Sequence, residues 1–156
     1  MCRTDRRVLP LCQEGLCVVL PLRHPLAGED TVGLRALADE PLLRYADASP
    51  AWSAAWNTDP RPDGTRWLRG PDVHDMEEIL AYVRAGGGVV MVPESVAAVF
   101  PRPDIAYVPL ADAPPGTVAL VRDRDRPSPL VETFVDATRT TAPGVTRPTP
   151  GSAPAP

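Results

Sequence analysis

Short apolar runs of strand length recur along the chain. Leu16-Cys17-Val18-Val19-Leu20 and Gly88-Val89-Val90-Met91-Val92 have no polar alternation. That pattern predicts strands covered on both faces, as in a parallel sheet with helices above and below. Ile105-Ala106-Tyr107-Val108 and Thr117-Val118-Ala119-Leu120-Val121 are further strand candidates, each preceded by Pro- or Gly-rich turns. Between them the period changes. Met76, Ile79, Leu80 and Val83 fall at i, i+3, i+4 and i+7, which predicts a helix over Asp75–Ala85. Asp75 and Glu78 have capping-box spacing, and Gly86 suits the left-handed stop. A second helix is predicted over Ser128–Arg139. Ser128 would cap it, Pro129 take the first helical position, and Leu130, Val131, Phe134 and Val135 form its apolar face. Shorter helical turns are expected at Leu34–Asp39, Ser53–Asn57 and Glu94–Val99. The alternation of strand and helix predicts an α/β fold, without internal repeats.

The two ends lack this patterning. Residues 1–14 carry no period and are expected to be a poorly ordered extension. Residues 140–156 hold Pro143, Pro148, Pro150, Pro154 and Pro156 among Gly, Ser and Thr, and are expected to form a disordered tail. The patterned body is 15–139. At 156 residues and 44% hydrophobic, the chain suits one domain with a real core. Proline is abundant at 21 residues, and outside the tail it mostly punctuates turns. The basic residues are all arginine, and the formal net charge is −4. This sign argues against a protein that coats nucleic acid. The apolar run Leu16–Leu22 is broken by Pro21 and is far shorter than a membrane span. No secretory leader is expected, and the cytoplasm is the expected location.

Candidate chemistry is sparse. Cys2, Cys12 and Cys17 do not form a disulfide framework, and the spacing of Cys12, Cys17 and His24 fits no familiar zinc pattern. A buried free thiol is the expected state of Cys17. Gly86-Gly87-Gly88 lacks the Lys and Ser/Thr of a phosphate loop, and it follows a helix where a dinucleotide loop would open one. It is expected to stop the helix. There is no G-x-S-x-G elbow. His24 precedes Pro25 in a turn, and His74 is expected at the surface just before the best helix. Trp52 and Trp56 are four apart, hence on one face of a helix, as core or as the apolar wall of a small-molecule pocket. Arg122-Asp123-Arg124-Asp125-Arg126 is expected to be a solvated strand end or loop. No catalytic constellation emerges, so no enzymatic activity, metal or cofactor is expected.

Several segments, in order, resemble one family. Leu16–Ala27, with Val18-Val19-Leu20-Pro21 and His24-Pro25-Leu26-Ala27, resembles the "VVLP…HPLA" segment of LysR-type transcriptional regulators. Leu34–Leu42 is similar to the following "L-x-x-L-A-D-E-P-L" helix and strand. Glu78–Ser95 resembles the family's helix, glycine turn, strand and "PES" run, with Gly87 in place of an often apolar residue. Val108–Asp112 and the helix from Ser128 complete the match. The resemblance spans about Leu16–Arg139. It implies a periplasmic-binding-protein-like (type 2) effector-binding domain, truncated on its N-terminal side: the second lobe plus the returning segment of an incomplete first lobe. Leu16–Leu20 and Ile105–Pro109 would cross between lobes. The implied function is binding of a small-molecule co-inducer in the inter-lobe cleft to control transcription. The segment after strand Pro41–Tyr45 borders that cleft in the family, which implicates Ser49, Trp52, Ser53 and His74. The implied partner is the small effector. DNA would be reached only through a helix-turn-helix domain outside this chain, no membrane is involved, and exposed apolar edges of the incomplete lobe would allow a homodimer. The rival readings are a cytoplasmic or transport-associated solute-binding protein of the same architecture, a small α/β enzyme, and a truncated product without a role.

Overall fold

The structure is a computed structural model that describes residues 6–123 and 128–141. Its elements run β1 (Arg6–Glu14), β2 (Leu16–Pro21), a 3-10 turn (Leu34–Leu37), β3 (Pro41–Tyr45), α1 (Pro50–Trp56), β4 (Leu68–Val73), α2 (Met76–Ala85), β5 (Val90–Pro93), α3 (Ser95–Val99), β6 (Ile105–Pro109), β7 (Gly116–Asp123) and α4 (Pro129–Thr141). The chain divides into two units, Glu14–Gly116 and the two terminal segments Met1–Gln13 and Thr117–Pro156.

The larger unit is built on β2, whose six residues are all buried. It lies between β5 and β6 and is antiparallel to both, with Val18 opposite Met91 and Val108. The expected cover on both faces is present, but the expected parallel neighbours are not. An unalternated apolar run reports burial of both faces and carries no information on strand direction. The parallel pairing is elsewhere, between β3 and β4, and it extends through a parallel bridge from Leu42 to Val89. β4 escapes its sequence because Gly70-Pro71 looks like a turn. It is paired only with β3 among the described residues, and such a position tolerates proline. Gly70 is needed there, since a Cβ would come within 2.6 Å of the Leu42 carbonyl oxygen.

Two apolar clusters flank β2. Val19 packs with Leu43, Val73, Val90 and the α2 stripe Ile79, Leu80 and Val83. Val18 and Leu20 pack the other way, with Val32, Leu37, Leu42, Val89 and Val108. Successive β2 residues therefore serve opposite clusters, which is why every position is apolar. The start and stop of α2 follow the sequence. The Asp75 side chain accepts from Glu78 N at 2.8 Å, and Gly86 takes φ 79° with its N–H turned back on the last helical carbonyls. β5 begins only at Val90, because Gly88 adopts φ 148° and its missing Cβ would meet the Pro41 carbonyl oxygen at 2.6 Å. No described helix is long and apolar enough to cross a membrane.

The terminal unit contains the two-stranded sheet of β1 and β7, and α4. Residues 6–14 are thus a strand and not part of a poorly ordered extension. A segment that gains its backbone hydrogen bonds from a partner distant in sequence needs no local period to be ordered. Helix α4 extends through Thr140 and Thr141, residues assigned to the tail. Of its expected apolar face only Val135 is buried, while Leu130 and Phe134 are exposed. Arg122 forms an ion pair with Glu132. The remaining expectations for 1–5, 124–127 and 142–156 lie outside the described residues.

Candidate ligand-binding site

The larger unit holds a cavity of about 430 Å³ lined by Tyr45, Asp47, Ala48, Trp52, Trp56, Val73, His74, Met76, Met91, Val92 and Pro93. Its position follows from the sheet. Tyr45 ends β3 and Val73 ends β4, two parallel strands, and Met91–Pro93 lie on β5, just beyond the parallel bridge at Val89. Carboxyl ends of parallel strands form a crevice because the connections leave the sheet there in different directions. Helix α1 closes one side and the first residue of α2, Met76, adds to the floor.

Aromatic contacts fix the walls. The four-residue spacing places the Trp52 and Trp56 rings in a stack, with centroids 5.3 Å apart and planes at 9°. Tyr45 meets Trp52 edge-on at 6.1 Å and 77°. Trp56 Nε1 donates to the Met91 carbonyl at 3.1 Å, tying α1 to β5. Burial, and then the nearby Asp75 carboxylate, push the Tyr45 phenol above its ordinary value. It stays protonated at neutral pH.

His74 stands between β4 and α2. Its backbone N–H donates to Glu78 Oε2 at 2.7 Å, and its Nδ1 lies 3.2 Å from the same oxygen. Helix α2 therefore begins with two carboxylates engaged, Asp75 on the Glu78 amide and Glu78 on the His74 amide.

Of the four residues implicated from the sequence, Trp52 and His74 line the cavity. Ser49 and Ser53 do not. The Ser49 Oγ accepts from Trp52 N at 3.2 Å, holding the first turn of α1. Ser53 borders a different depression, of about 350 Å³, together with Arg44, Asn57, Arg66 and Arg69. The separation of Ser53 from Trp52 follows from helix geometry, since adjacent residues differ by about 100° around the axis and Trp52 already faces the cavity. Tyr45, Asp47, Met76 and Met91 are cavity residues that sequence reasoning missed. Their shared signal is their place at or just beyond strand ends, visible only once the strands are aligned.

The third tryptophan, Trp67, and the histidine His24 have structural partners. Trp67 donates from Nε1 to the Asn57 carbonyl at 2.9 Å and lies under the Arg61 guanidinium, 4.7 Å from its centroid. His24 accepts from Leu26 N at Nδ1 and meets Glu40 Oε1 at 3.1 Å through Nε2, pinning the turn after β2. Cys17 is buried and Cys12 exposed, both as free thiols. Among the described residues no three His, Cys, Asp or Glu side chains are grouped to hold a metal ion.

Comparison with known proteins gives the same architecture a family. The model of the LysR substrate binding domain matches residues 3–143. The chain belongs to this family. The match begins well before residue 15, so β1 is part of the LysR substrate-binding domain. The fold is accordingly the periplasmic-binding-protein-like (type 2) α/β fold implied by the segment resemblance. Among solved structures, the BenM effector binding domain with its effector benzoate superposes with a TM-score of 0.75 at 23% identity, covering 95% of this chain and 69% of that one. The effector binding domain of QuiR in complex with shikimate gives 0.70 at 20% identity, covering 90% and 66%. Full-length BenM gives 0.73 at 23% identity, covering 90% and 48%. The chain thus spans about two thirds of the isolated effector-binding domains and about half of the full-length regulator. No curated protein sequence matches the chain.

Proposed function

We propose that this LysR substrate-binding domain binds a small-molecule effector in the cavity under α1 and so contributes to control of transcription. The observation that carries the reading is an aromatic-walled cavity at the carboxyl ends of β3, β4 and β5. Its size lies in the range of small-molecule sites, and its polar groups are few. Trp52 and His74 are the proposed effector contacts, joined by Tyr45, Trp56 and Met91. Ser49 serves by holding the turn that carries Trp52. The relatives support the same role, since BenM binds benzoate and QuiR binds shikimate in their effector domains. Binding, with no chemical step, is the proposed activity, because among the described residues Tyr45, Asp47 and His74 line the cavity without a hydrogen bond that pairs a nucleophile with a base. Its place of action is the cytoplasm, where transcription occurs. Any DNA contact would belong to another domain of a longer regulator.

The test is titration of small aromatic molecules into the full chain, followed by tryptophan fluorescence and calorimetry. A binder should lose about tenfold in affinity in Trp52→Ala, the loss of one aromatic wall. Unchanged affinity in that variant refutes the site.

A further inference from the structure

We propose that a second site lies on another face of α1 and holds a small oxyanion, the carboxylate or phosphate group of a ligand, between Arg44, Ser53 and Asn57. It is the depression of about 350 Å³ that Ser53 borders, and it stands independently of the aromatic cavity. Both α1 and β3 serve the two places. Trp52 and Trp56 go to the cavity, whereas Ser53 and Asn57, also four apart, go to the depression. Asn57 N donates to the Ser53 carbonyl at 2.9 Å, which keeps the two in helical register. Along β3, Leu43 and Tyr45 pack with the α2 stripe, while Leu42 and Arg44 line the depression.

Two polar groups of this lining lack the partners that a folded chain ordinarily supplies. Asn57 is 8% exposed, yet its side-chain amide makes no hydrogen bond among the described residues. A buried amide without a partner is costly and rare, and this one borders a space that a ligand can enter. Its backbone is held, since the Trp67 indole donates to the Asn57 carbonyl at 2.9 Å. Arg44 is half-buried and forms no ion pair among the described residues. Asp72 stands opposite Arg44 in the β3–β4 register but pairs with Arg69 at 3.0 Å. The lining carboxylate Asp59 pairs with Arg66 at 3.9 Å, and its other oxygen is buried. Two of the three lining arginines are therefore matched, and Arg44 is left over. Trp67, another wall residue, carries further positive charge. The Arg61 guanidinium lies 4.7 Å from its ring centroid, 4% exposed, with Nε and Nη1 unpartnered among the described residues. A cationic ligand would be repelled by this charge, and a neutral one would leave it uncompensated. An oxyanion takes the planar fork of Arg44 and accepts from the Asn57 amide and the Ser53 hydroxyl.

The experiment records proton–nitrogen NMR correlation spectra of the full chain during titration with sodium phosphate, sodium acetate or tetramethylammonium chloride, at constant ionic strength. The Asn57 side-chain amide and the Arg44 Nε–H signals should move and saturate with phosphate or with acetate. The anion that saturates first identifies the headgroup. Neither signal should move with tetramethylammonium, and the Trp52 indole N–H, at the other site, should stay in place with all three. Arg44→Gln should weaken oxyanion binding about tenfold, and Asn57→Asp, which sets a carboxylate where the amide stood, at least as much. The absence of a saturable shift with both oxyanions overturns the proposal, as does an equal response to tetramethylammonium. Shifts confined to the Trp52 indole place the anion in the aromatic cavity and overturn it too. Unchanged affinity in Asn57→Asp overturns it even where Arg44→Gln fails to fold.

Discussion

At the scale of single residues, Cys17 shows how placement changes chemistry. It is the second residue of the buried run of β2, where desolvation and then the nearby Glu94 and Glu14 carboxylates push its thiol up to about 11 from 9.0. A pKa raised in this way costs nothing while the thiol is protonated in both the folded and the unfolded chain. Above pH 9.0 the unfolded chain loses the thiol proton and the folded chain retains it, so stability should fall between about pH 9 and 11. The loss should approach about 2 kcal/mol at the upper end. Tyr45 and Tyr107, both raised chiefly by burial, add the same sign above pH 10.0. Urea unfolding across this range should show a shallower alkaline slope in Cys17→Ala than in the parent, whatever the variant's stability at neutral pH. Identical slopes would show that the thiol does not titrate on unfolding. The neighbouring Trp residues divide differently. Trp52 is 44% exposed at the rim, so its removal should be felt in binding far more than in folding. Trp56 is tied to Met91 and has a structural task as well.

At the scale of elements, α2 is the segment whose sequence specifies it most completely. Its apolar stripe, cap and stop are all local signals, and each appears where expected. Asp75→Ala removes the cap at Glu78 N and should cost about 1 kcal/mol. Gly86→Ala forces a Cβ into φ 79° and should cost about 1–2 kcal/mol. The two sites lie at opposite ends of a 10-residue helix. Their costs should therefore add to within about 0.5 kcal/mol in the double variant, as measured by urea titration. A strongly non-additive result would mean that the helix ends communicate through the β3–β5 region. β4 and β1 stand at the other extreme. Neither has a clean period, and each is ordered by a partner remote in sequence, β3 for one and β7 for the other. The face of α4 is a further case, since an amphipathic period gave a correct helix but did not place Leu130 or Phe134 in a core.

At the scale of the whole molecule, the net charge of −4 governs what the chain can do alone. Phosphate neutralisation drives non-specific duplex binding, and an acidic chain supplies little of it. A fluorescence anisotropy titration with duplex DNA at physiological salt should show no binding by this chain. A salt-dependent rise would reveal a basic surface that the overall charge conceals. Membership of the LysR substrate-binding family was legible in the ordered segments from Leu16 to Arg139, because several short segments carry the family's pattern in the same order and spacing. The cavity was legible only in part. Trp52 and His74 were reached through the resemblance, while Ser53 was displaced by the rotation of one residue around α1.

The sequence by itself determined the buried run of β2, the limits of α2, the glycine stop at Gly86 and the α/β class, because each depends on the chain within about ten residues of itself. The tertiary structure alone decided that β2 runs antiparallel to both neighbours, that β3 and β4 run parallel, and that residues 6–14 form a strand. It also decided that Tyr45, Asp47, Met76 and Met91 meet in one cavity. Those features depend on which distant segment supplies the hydrogen bonds and the opposing wall. Local periodicity records that a surface is covered, and only the assembled sheet records by what.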